Sequence, residues 1–203
     1  MLYPTPAPDA LAEESDLVVL LAEDGTTTGT APRDQVHGAD TPLHLAFSTY
    51  LFDPAGRLLL TRRALTKRTW PGVWSNSCCG HPKPGEAVVE AAGRRVREEL
   101  GAEPRDLALA VPDFRYRAVD ASGIVEHEIC PVFVGKVDPA ELSPDADEIA
   151  ETTWVPWEAV VTAARATPML LSPWAVRQIP LVAQMESSLW GGDRPHAQGG
   201  LSA

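Results

Sequence analysis

The sequence predicts an α/β or α+β sandwich, folded as a single compact domain. Short apolar and β-branched runs, bounded by turn residues, recur along most of the chain, whereas few segments have helical character. The length of 203 residues suits one domain, because domains usually comprise about 100–200 residues. Neither a linker-like break nor an internal repeat divides the chain, and a hydrophobic content of 44% is ordinary for a globular protein.

Six segments are expected to form strands, because apolar residues run between clusters of Gly, Pro, Asp and Ser. They are residues 16–22, 43–52, 58–61, 114–119, 124–136 and 148–155. Turns at residues 53–56 and 120–123 would join two pairs of these strands into hairpins. Residues 69–85 are crowded with Gly, Pro, Trp and Cys, and they predict a structured loop.

Three segments are expected to form helices. The first spans residues 86–100, and Gly101 supplies its stop signal. A short helix runs from Pro156 to Ala166. The last spans residues 173–189 and contains Pro180, which we expect to kink or interrupt it because proline lacks the backbone N–H.

The folded domain is expected to span residues 16–187. Residues 1–15 are rich in Pro, Ala and acidic side chains and predict a mobile leader. Residues 188–203 hold four glycines and little to pack, and they predict a flexible tail.

Composition and charge exclude several classes of protein. Seventeen basic and 28 acidic residues give a formal net charge of −11, which argues against a nucleic-acid binder or an anionic-membrane binder. The first residues lack the basic and apolar regions of a signal peptide, and no apolar run approaches the ~20 residues that span a bilayer. Three cysteines do not make a secreted disulfide framework. We therefore expect a cytoplasmic protein that binds neither nucleic acid nor membrane.

One segment, residues 80–101, places Gly, Glu and Arg at a fixed spacing. It resembles the Nudix box, G-x5-E-x7-R-E-U-x-E-E-x-G-U, where U is apolar. The matching positions are Gly80, Glu86, Arg94, Val96, Glu98, Glu99 and Gly101. The resemblance implies a mixed β-sheet sandwiched between helices, with helix carboxylates that face divalent cations holding a diphosphate. The alternative, a surface helix with ordinary salt bridges, is disfavoured by seven matches at the same spacing.

The segment departs from the box at Arg95, where the pattern has Glu. Arg95, Glu98 and Glu99 stand at i, i+3 and i+4, so they lie on one helix face. The change adds two units of positive charge to that face. A cluster suited to several metal ions becomes one suited to a single ion and a guanidinium contact to phosphate. We therefore expect diphosphate binding to be retained and metal-assisted hydrolysis to lose a ligand.

Three further motifs, residues 70–82, 114–118 and 126–132, narrow the resemblance. Together they resemble the type I isopentenyl-diphosphate isomerases, a branch of the Nudix superfamily, and the likeness runs from His37 to Trp174. It implies an isomerase that interconverts isopentenyl and dimethylallyl diphosphate for isoprenoid biosynthesis. The implied partner is a small prenyl diphosphate, and the sequence leaves open whether the chain is a monomer or a weak dimer.

A metal site is expected around a Glu-His-Glu segment. Glu126 and Glu128 stand at i and i+2 of a predicted strand, so both carboxylates face one side and His127 faces the other. A single histidine is more often a surface or core residue than a ligand, but the resemblance implies three imidazoles and two carboxylates on one Mn²⁺, Zn²⁺ or Mg²⁺ ion. These five ligands are His37, His44, His81, Glu126 and Glu128. His127 and His196 are expected to be structural or surface residues.

A second ion, Mg²⁺, is implied beside Glu99. The backbone carbonyl of Cys79 and the substrate diphosphate would complete its shell. Four basic residues are implied to hold the diphosphate. They are Arg33, Arg63, Lys67 and Arg95.

The resemblance also implies the proton-transfer groups. Cys79 and Glu128 would act on opposite sides of the substrate, and Tyr116 would orient Glu128 or relay its proton. Trp174 would shelter positive charge on carbon through its ring face. Which of Cys79 and Glu128 protonates first stays open. Cys78 is expected to be a packing thiol.

Two other functions compete with the isomerase. A Nudix hydrolase acting on a nucleoside or prenyl diphosphate is the first alternative, and Arg95 together with the pair of Cys79 and Glu128 speaks against it. A catalytically inactive metal-binding module is the second, and it is disfavoured because every expected catalytic position is filled. Release of phosphate would favour the hydrolase, whereas double-bond migration with phosphorus untouched would favour the isomerase.

Overall fold

The computed structural model describes residues 16–189, so the expected leader and residues 190–203 of the expected tail lie outside the described residues. Twelve strands form within this part of the chain. They are β1 (Leu17–Leu21), β2 (Thr27–Pro32), β3 (His44–Leu45), β4 (Phe47–Phe52), β5 (Arg57–Arg63), β6 (Trp74–Ser75), β7 (Cys78–Gly80), β8 (Arg105–Val111), β9 (Arg115–Val119), β10 (Val125–Ile129), β11 (Val132–Lys136) and β12 (Ile149–Pro156).

Two mixed sheets contain these strands. The first sheet has the order β2-β1-β3-β10-β9, and its β3–β10 pair is parallel. The second has the order β12-β5-β4-β11-β8, and its β4–β11 pair is parallel, while β6 and β7 pair with β5 and β4. The mixed α+β fold predicted from the sequence is therefore confirmed.

Four α-helices are found in the described residues. They are α1 (Arg33–Val36), α2 (Val88–Leu100), α3 (Trp157–Ala166) and α4 (Pro173–Leu189). Helix α2 ends as predicted at Gly101, whose φ of 65° is the left-handed conformation that glycine adopts without strain. Helix α4 runs continuously through Pro180, so the proline does not interrupt it, and the alternative expectation of a kink stays a prediction. Ile179 and Val182, on either side of this proline, are both buried in the core.

The second sheet lies between helices, because its central strands are buried on both faces. All six residues of β4 are buried. Tyr50 and Phe52 join the cluster that contains residues of α3 and α4, whereas Leu51, on the opposite face, packs with Val96 and Leu100 of α2. Strand β4 is therefore covered on both faces, and its buried residues include the polar Ser48 and Thr49.

Two predicted strands are each divided between the two sheets. The run 43–52 breaks at Ala46 into β3 and β4, and the run 124–136 breaks at Cys130 and Pro131 into β10 and β11. Ala46 N–H donates to Ile129 O and Ser48 N–H donates to Pro131 O, so the two breaks lie side by side. At this crossing place two interior strands of the first sheet, β3 and β10, lead into two interior strands of the second, β4 and β11, and the candidate site forms there.

The sequence prediction missed several features of this fold, among them the short helix α1. The Thr- and Gly-rich sequence of β2 has no apolar pattern, and in β8 one buried apolar residue, Ala110, stands among apolar residues that are partly buried or exposed. The segment 69–85 is not only a loop, since β6 and β7 form within it by pairing with distant strands. Among the described residues, no helix has both the length and the apolar character needed to cross a membrane.

Candidate active site

One cavity of about 440 Å³ lies at this crossing place. It is lined by every site residue predicted from the sequence except His44, which is fully buried behind it. The lining residues among them are Arg33, His37, Arg63, Lys67, Cys79, His81, Arg95, Glu99, Tyr116, Glu126, Glu128 and Trp174. Residues up to 141 positions apart in sequence therefore share one space.

Strand β10 positions the acidic side of the cavity. Glu126 and Glu128 are buried on one face, as the alternation predicted, while His127 on the other face is only half-buried. Glu128 stands opposite His44 on β3 and opposite Tyr116 on β9. The register of three strands thus places a carboxylate between an imidazole and a phenol.

A histidine cluster surrounds the Glu128 carboxylate. Potential ligand atoms of four residues lie within 4.8 Å of one another. They are His37, His44, His81 and Glu128. The fifth predicted ligand, Glu126, lies beside this group, with its Oε2 2.9 Å from His37 Nε2.

The chemistry of this cluster fits a divalent metal ion. Buried polar atoms normally have hydrogen-bond partners, but His37 Nε2, His44 Nε2, both ring nitrogens of His81 and Glu126 Oε2 make no well-formed hydrogen bond among the described residues and face one another and Glu128. His44 Nδ1 lies 2.9 Å from the carbonyl oxygen of Pro42, so that nitrogen carries the proton and Nε2 is left free as a ligand. Orphaned imidazole and carboxylate atoms that converge in this way could hold a divalent ion.

The pKa values of His81 and Glu128 suit metal ligands, which must be deprotonated, whereas that of His44 is shifted the other way. Burial lowers the pKa of His81 to about 4, so its imidazole is neutral at pH 7. Burial alone would raise the pKa of Glu128, but hydrogen bonding and charge from His44 and His81 bring it well below its usual range. The pKa of His44 is raised despite the opposing effect of burial, because it faces Glu128.

Strand β7 separates the two adjacent cysteines. Cys78 is buried among Leu51, Val96 and other apolar residues, as expected of a packing thiol. Cys79 faces the other way and stands opposite Ser48 on β4. Burial, opposed by hydrogen bonds from Ser48 and Asn76, raises the pKa of the Cys79 thiol to about 12, so the sulfur holds a proton at neutral pH.

Aromatic rings form an apolar wall of the cavity. The rings of Tyr116 and Trp174 have centroids 5.9 Å apart, and Trp70 meets Trp174 edge-to-face at 5.4 Å. The Trp174 indole N–H donates to Asn76 Oδ1 at 2.9 Å, which satisfies its single polar group and fixes the ring. Tyr116 and Glu128 are cross-strand neighbours, but no hydrogen bond joins their side chains in the described residues. The role predicted for Tyr116 stays a prediction.

Basic side chains line another part of the cavity, and acids pair with some of them. Arg95 donates from Nε to Glu99 Oε1 at 3.0 Å and from Nη1 to Glu98 Oε2 at 3.0 Å, which confirms that these three residues share a helix face. Arg95 also contacts Glu148, and Glu148 binds Lys67. Nothing in the sequence indicates that Glu148 belongs to the site, because Glu148 lies in none of the motifs and comes near Arg95 only in the folded chain.

The remaining predicted phosphate contacts have local partners. Arg63 donates to the carbonyl oxygen of Thr69, and its guanidinium carbon lies 5.8 Å from the Trp174 ring centroid. Arg33 pairs with Asp16 at 2.8 Å. Both side chains line the cavity, so the structure brings the four predicted basic residues to one space.

The second predicted ion finds less support. Glu99 is buried and lines the cavity with Cys79, but its carboxylate accepts hydrogen bonds from Arg95. The one group of converging ligand atoms found in the described residues is the histidine cluster. A magnesium ion beside Glu99 therefore stays a prediction, which rests on the family resemblance.

The cavity combines three chemical functions. A protonated thiol and an ionised carboxylate can donate and accept protons, aromatic rings can contact an apolar or cationic carbon skeleton, and guanidinium groups can bind an anion. Such a site fits a small molecule with a short hydrocarbon part and a charged phosphate group.

Comparison with known proteins identifies the relatives of the chain. Residues 42–175 match the NUDIX domain family. A protein of Mycolicibacterium vanbaalenii named isopentenyl-diphosphate Delta-isomerase is 58% identical over 170 residues, which are 84% of this chain and 93% of the relative. A protein of Frankia alni with the same name is 56% identical over 179 residues, covering 87% of this chain and 91% of the relative. The crystal structure of DR0079 from Deinococcus radiodurans, 18% identical, matches 81% of this chain and 97% of its own with a TM-score of 0.62, which supports the fold.

Proposed function

The chain belongs to the NUDIX domain family, and we propose that it is an isomerase that interconverts isopentenyl diphosphate and dimethylallyl diphosphate. This is the reaction that the names of its relatives give for those proteins. The observation that carries the proposal is one cavity that holds Cys79 and Glu128 together with the aromatic ring of Trp174 and the guanidinium of Arg95. A proton donor, a proton acceptor, a cation-binding ring and an anion contact are the groups that this reaction requires.

The reaction moves a double bond by two proton transfers and changes no oxidation state. One proton is added to the terminal alkene carbon and another is removed from C2, so positive charge develops on the tertiary carbon between them. We assign these transfers to Cys79 and Glu128, without an order. An unactivated alkene is a weak base, so the donor must be well placed and water must be kept out.

The other cavity residues support these transfers. We assign Trp174 to the stabilisation of positive charge, an interaction worth about 2 kcal/mol or more when desolvated. Tyr116 faces Glu128 across the strands and would orient that carboxylate or relay its proton. These aromatic walls also exclude water that would convert the cation to an alcohol.

We propose that His37, His44, His81, Glu126 and Glu128 hold one divalent ion, Mn²⁺ or Zn²⁺, with Mg²⁺ as a third candidate. When bound, the ion supplies positive charge that keeps Glu128 ionised. The orphaned ring nitrogens of the cluster support this assignment. We further propose that Arg33, Arg63, Lys67 and Arg95 bind the diphosphate, with Mg²⁺ beside Glu99.

We place this activity in the domain of residues 16–187 and the protein in the cytoplasm, acting as a monomer or weak dimer on a free prenyl diphosphate. The absence of a basic surface excess, shown by the net charge of −11, supports a small-molecule substrate over a nucleic acid.

The experiment that tests the proposal distinguishes isomerisation from hydrolysis. Purified protein with Mg²⁺ is incubated with isopentenyl diphosphate, the product is identified by NMR, and inorganic phosphate is measured in the same sample. The isomerase predicts dimethylallyl diphosphate with no phosphate release. Phosphate release without double-bond migration would support the alternative, a Nudix hydrolase.

A further inference from the structure

A buried polar cluster lies behind Cys79 and outside the cavity lining. It consists of Ser48 and Tyr50 on β4, Gln178 on α4 and Cys130, and we call it the Gln178 cluster. Each of these residues is at most 1% exposed, and none of them lines the cavity. No step of the proposed reaction uses them. Polar side chains in a core are costly unless they are hydrogen-bonded, so their arrangement calls for a physical explanation.

The direction of each hydrogen bond in the Gln178 cluster follows from its donors and acceptors. The Tyr50 hydroxyl donates to Gln178 Oε1 at 3.0 Å, and Gln178 Nε2 donates to Ser48 Oγ at 3.0 Å. Reversing the amide would leave the buried Tyr50 hydroxyl hydrogen without an acceptor in the described residues, so this orientation of Gln178 is the satisfied one.

The orientation of Gln178 determines where the Ser48 hydroxyl can point. A serine hydroxyl has one hydrogen to donate, and an amide N–H already approaches its oxygen from Gln178. The hydrogen is therefore directed to one of two sulfur atoms, Cys79 Sγ at 3.4 Å or Cys130 Sγ at 3.4 Å. Gln178 Nε2 also lies 3.9 Å from Cys130 Sγ, which gives that sulfur a second neighbouring donor.

Cys79 depends on few contacts for its orientation. Its side-chain sulfur has two polar neighbours in the described residues, Ser48 and Asn76, and Asn76 Nδ2 lies 3.1 Å from it. Asn76 is fixed independently, because the Trp174 indole can only donate and so must face Asn76 Oδ1. The sulfur also donates to Asn76 Oδ1 at 3.3 Å, so without Ser48 it would keep contacts to Asn76 alone. Cysteine has three staggered rotamers, so loss of the Ser48 contact leaves the sulfur less well defined.

We propose that Gln178 is a positioning residue for Cys79, because its amide turns the Ser48 hydroxyl toward the sulfur and so holds the sulfur in place for proton transfer. The chain of contacts runs from Tyr50 through Gln178 and Ser48 to Cys79. This inference rests on the proposed isomerase function and adds a residue that does not line the cavity. A misplacement of a reacting group by about 1 Å can cost 10²-fold in rate.

The first test replaces the donor and measures steady-state isomerisation. Gln178→Met keeps a long side chain without hydrogen-bond donors, and Gln178→Glu keeps the acceptor for Tyr50 while drawing the Ser48 hydroxyl away from sulfur. We expect kcat to fall about tenfold to a hundredfold, with KM unchanged because no diphosphate contact is altered. Val182→Ala, on the same helix and equally buried, is the control for a purely structural loss and is expected to retain kcat.

A double-mutant cycle with Ser48→Ala identifies the route of the effect. If Gln178 acts through Ser48, adding Gln178→Met to Ser48→Ala changes kcat by less than twofold, because the intermediary is already gone. Independent, multiplicative losses would overturn the proposal, as would wild-type kcat in either folded Gln178 variant. If Gln178→Met does not fold, the double-mutant cycle with Ser48→Ala is carried out with Gln178→Glu in its place. Isomerisation by the wild-type protein is measured first. If the wild-type protein does not isomerise the substrate, the proposed function fails, and this outcome is distinct from a failure of the role proposed for Gln178.

Discussion

At the scale of single residues, the site depends on which way adjacent side chains point. Cys78 and Cys79 are neighbours in the chain, yet on β7 the buried Cys78 packs with apolar residues of α2, whereas the sulfur of Cys79 contacts Ser48 and Asn76 on the other face. The alternation of a strand is the physical reason, and the sequence alone could not reveal it because residues 69–85 read as a loop. The family resemblance assigned proton transfer to Cys79 and not to Cys78. The pairing of β7 with β4 agrees with this assignment, because it places Cys79 opposite Ser48.

The two cysteines give the first prediction. Cys79→Ala should reduce kcat for isomerisation by about 10²–10⁴-fold, because it removes a group that transfers a proton. Cys78→Ala should change kcat little, since its sulfur packs with apolar residues. Both variants are compared by steady-state kinetics, with circular dichroism to verify folding. Equal losses from both would show that the sulfur of Cys79 has no special role.

Arg95 gives the second prediction. It contacts Glu98, Glu99 and Glu148, and its removal should cost a charge-assisted hydrogen bond to diphosphate of about 1.5–3 kcal/mol, roughly tenfold to a hundredfold in kcat/KM. Arg95→Glu should be worse than Arg95→Ala, because it adds repulsion toward the same anion, and its KM should rise steeply.

The Arg95→Glu variant restores the Nudix box, so phosphate release is measured beside isomerisation. We expect no efficient hydrolysis, because the rest of the cavity still excludes an attacking water. Unchanged isomerisation would make Arg95 a bystander on the helix, and rapid phosphate release would show that this position alone separates isomerase from hydrolase.

At the scale of elements, the register between paired strands brings together site residues that lie far apart in the sequence. The alternation in β10 predicted that Glu126 and Glu128 share a face, and this is confirmed. That His44 lies opposite Glu128 could not be predicted, because β3 and β10 are parallel strands 80 residues apart that pair only in the folded sheet. The breaks at Ala46 and Pro131 were likewise hidden within long apolar runs, although they move the chain from one sheet to the other.

Strand β10 also gives the third prediction, which has a control on its opposite face. Glu126→Gln should lower both the metal content and the rate, because the carboxylate beside His37 loses its charge. His127→Gln, one residue along and facing away, should retain metal and activity. Metal content is determined by elemental analysis of protein purified without added metal. Full occupancy in Glu126→Gln would contradict a site shared by the five predicted ligands.

At the scale of the whole molecule, metal binding should stabilise the fold. The histidine cluster draws its ligands from β3, β10 and the segments after α1 and β7, so an ion there ties both sheets together. The order of the strands and the burial of β4 on both faces could not be predicted in detail. The sandwich architecture could be predicted, because short apolar strands dominate the chain.

This arrangement gives the fourth prediction. A chelator should lower the melting temperature, because a ligand that binds only the native state stabilises it by RT ln(1 + [L]/Kd), about 2.7 kcal/mol at a hundredfold excess over Kd. The shift should disappear in a variant that carries both His37→Ala and Glu128→Gln. It is followed by thermal unfolding with and without chelator, and an equal shift in that variant would place the stabilising ion elsewhere.

The central claim, that Cys79 and Glu128 exchange protons with one substrate in this cavity, is tested most directly by isomerisation in deuterated water. Isopentenyl diphosphate is incubated with the protein and Mg²⁺, and proton NMR follows each carbon. Two proton transfers through groups that exchange with solvent predict deuterium in the new methyl group after a forward turnover, and deuterium at C2 once the reaction runs in reverse, with the diphosphate intact. Dimethylallyl diphosphate that forms without solvent deuterium, or release of phosphate in place of isomerisation, would contradict the account.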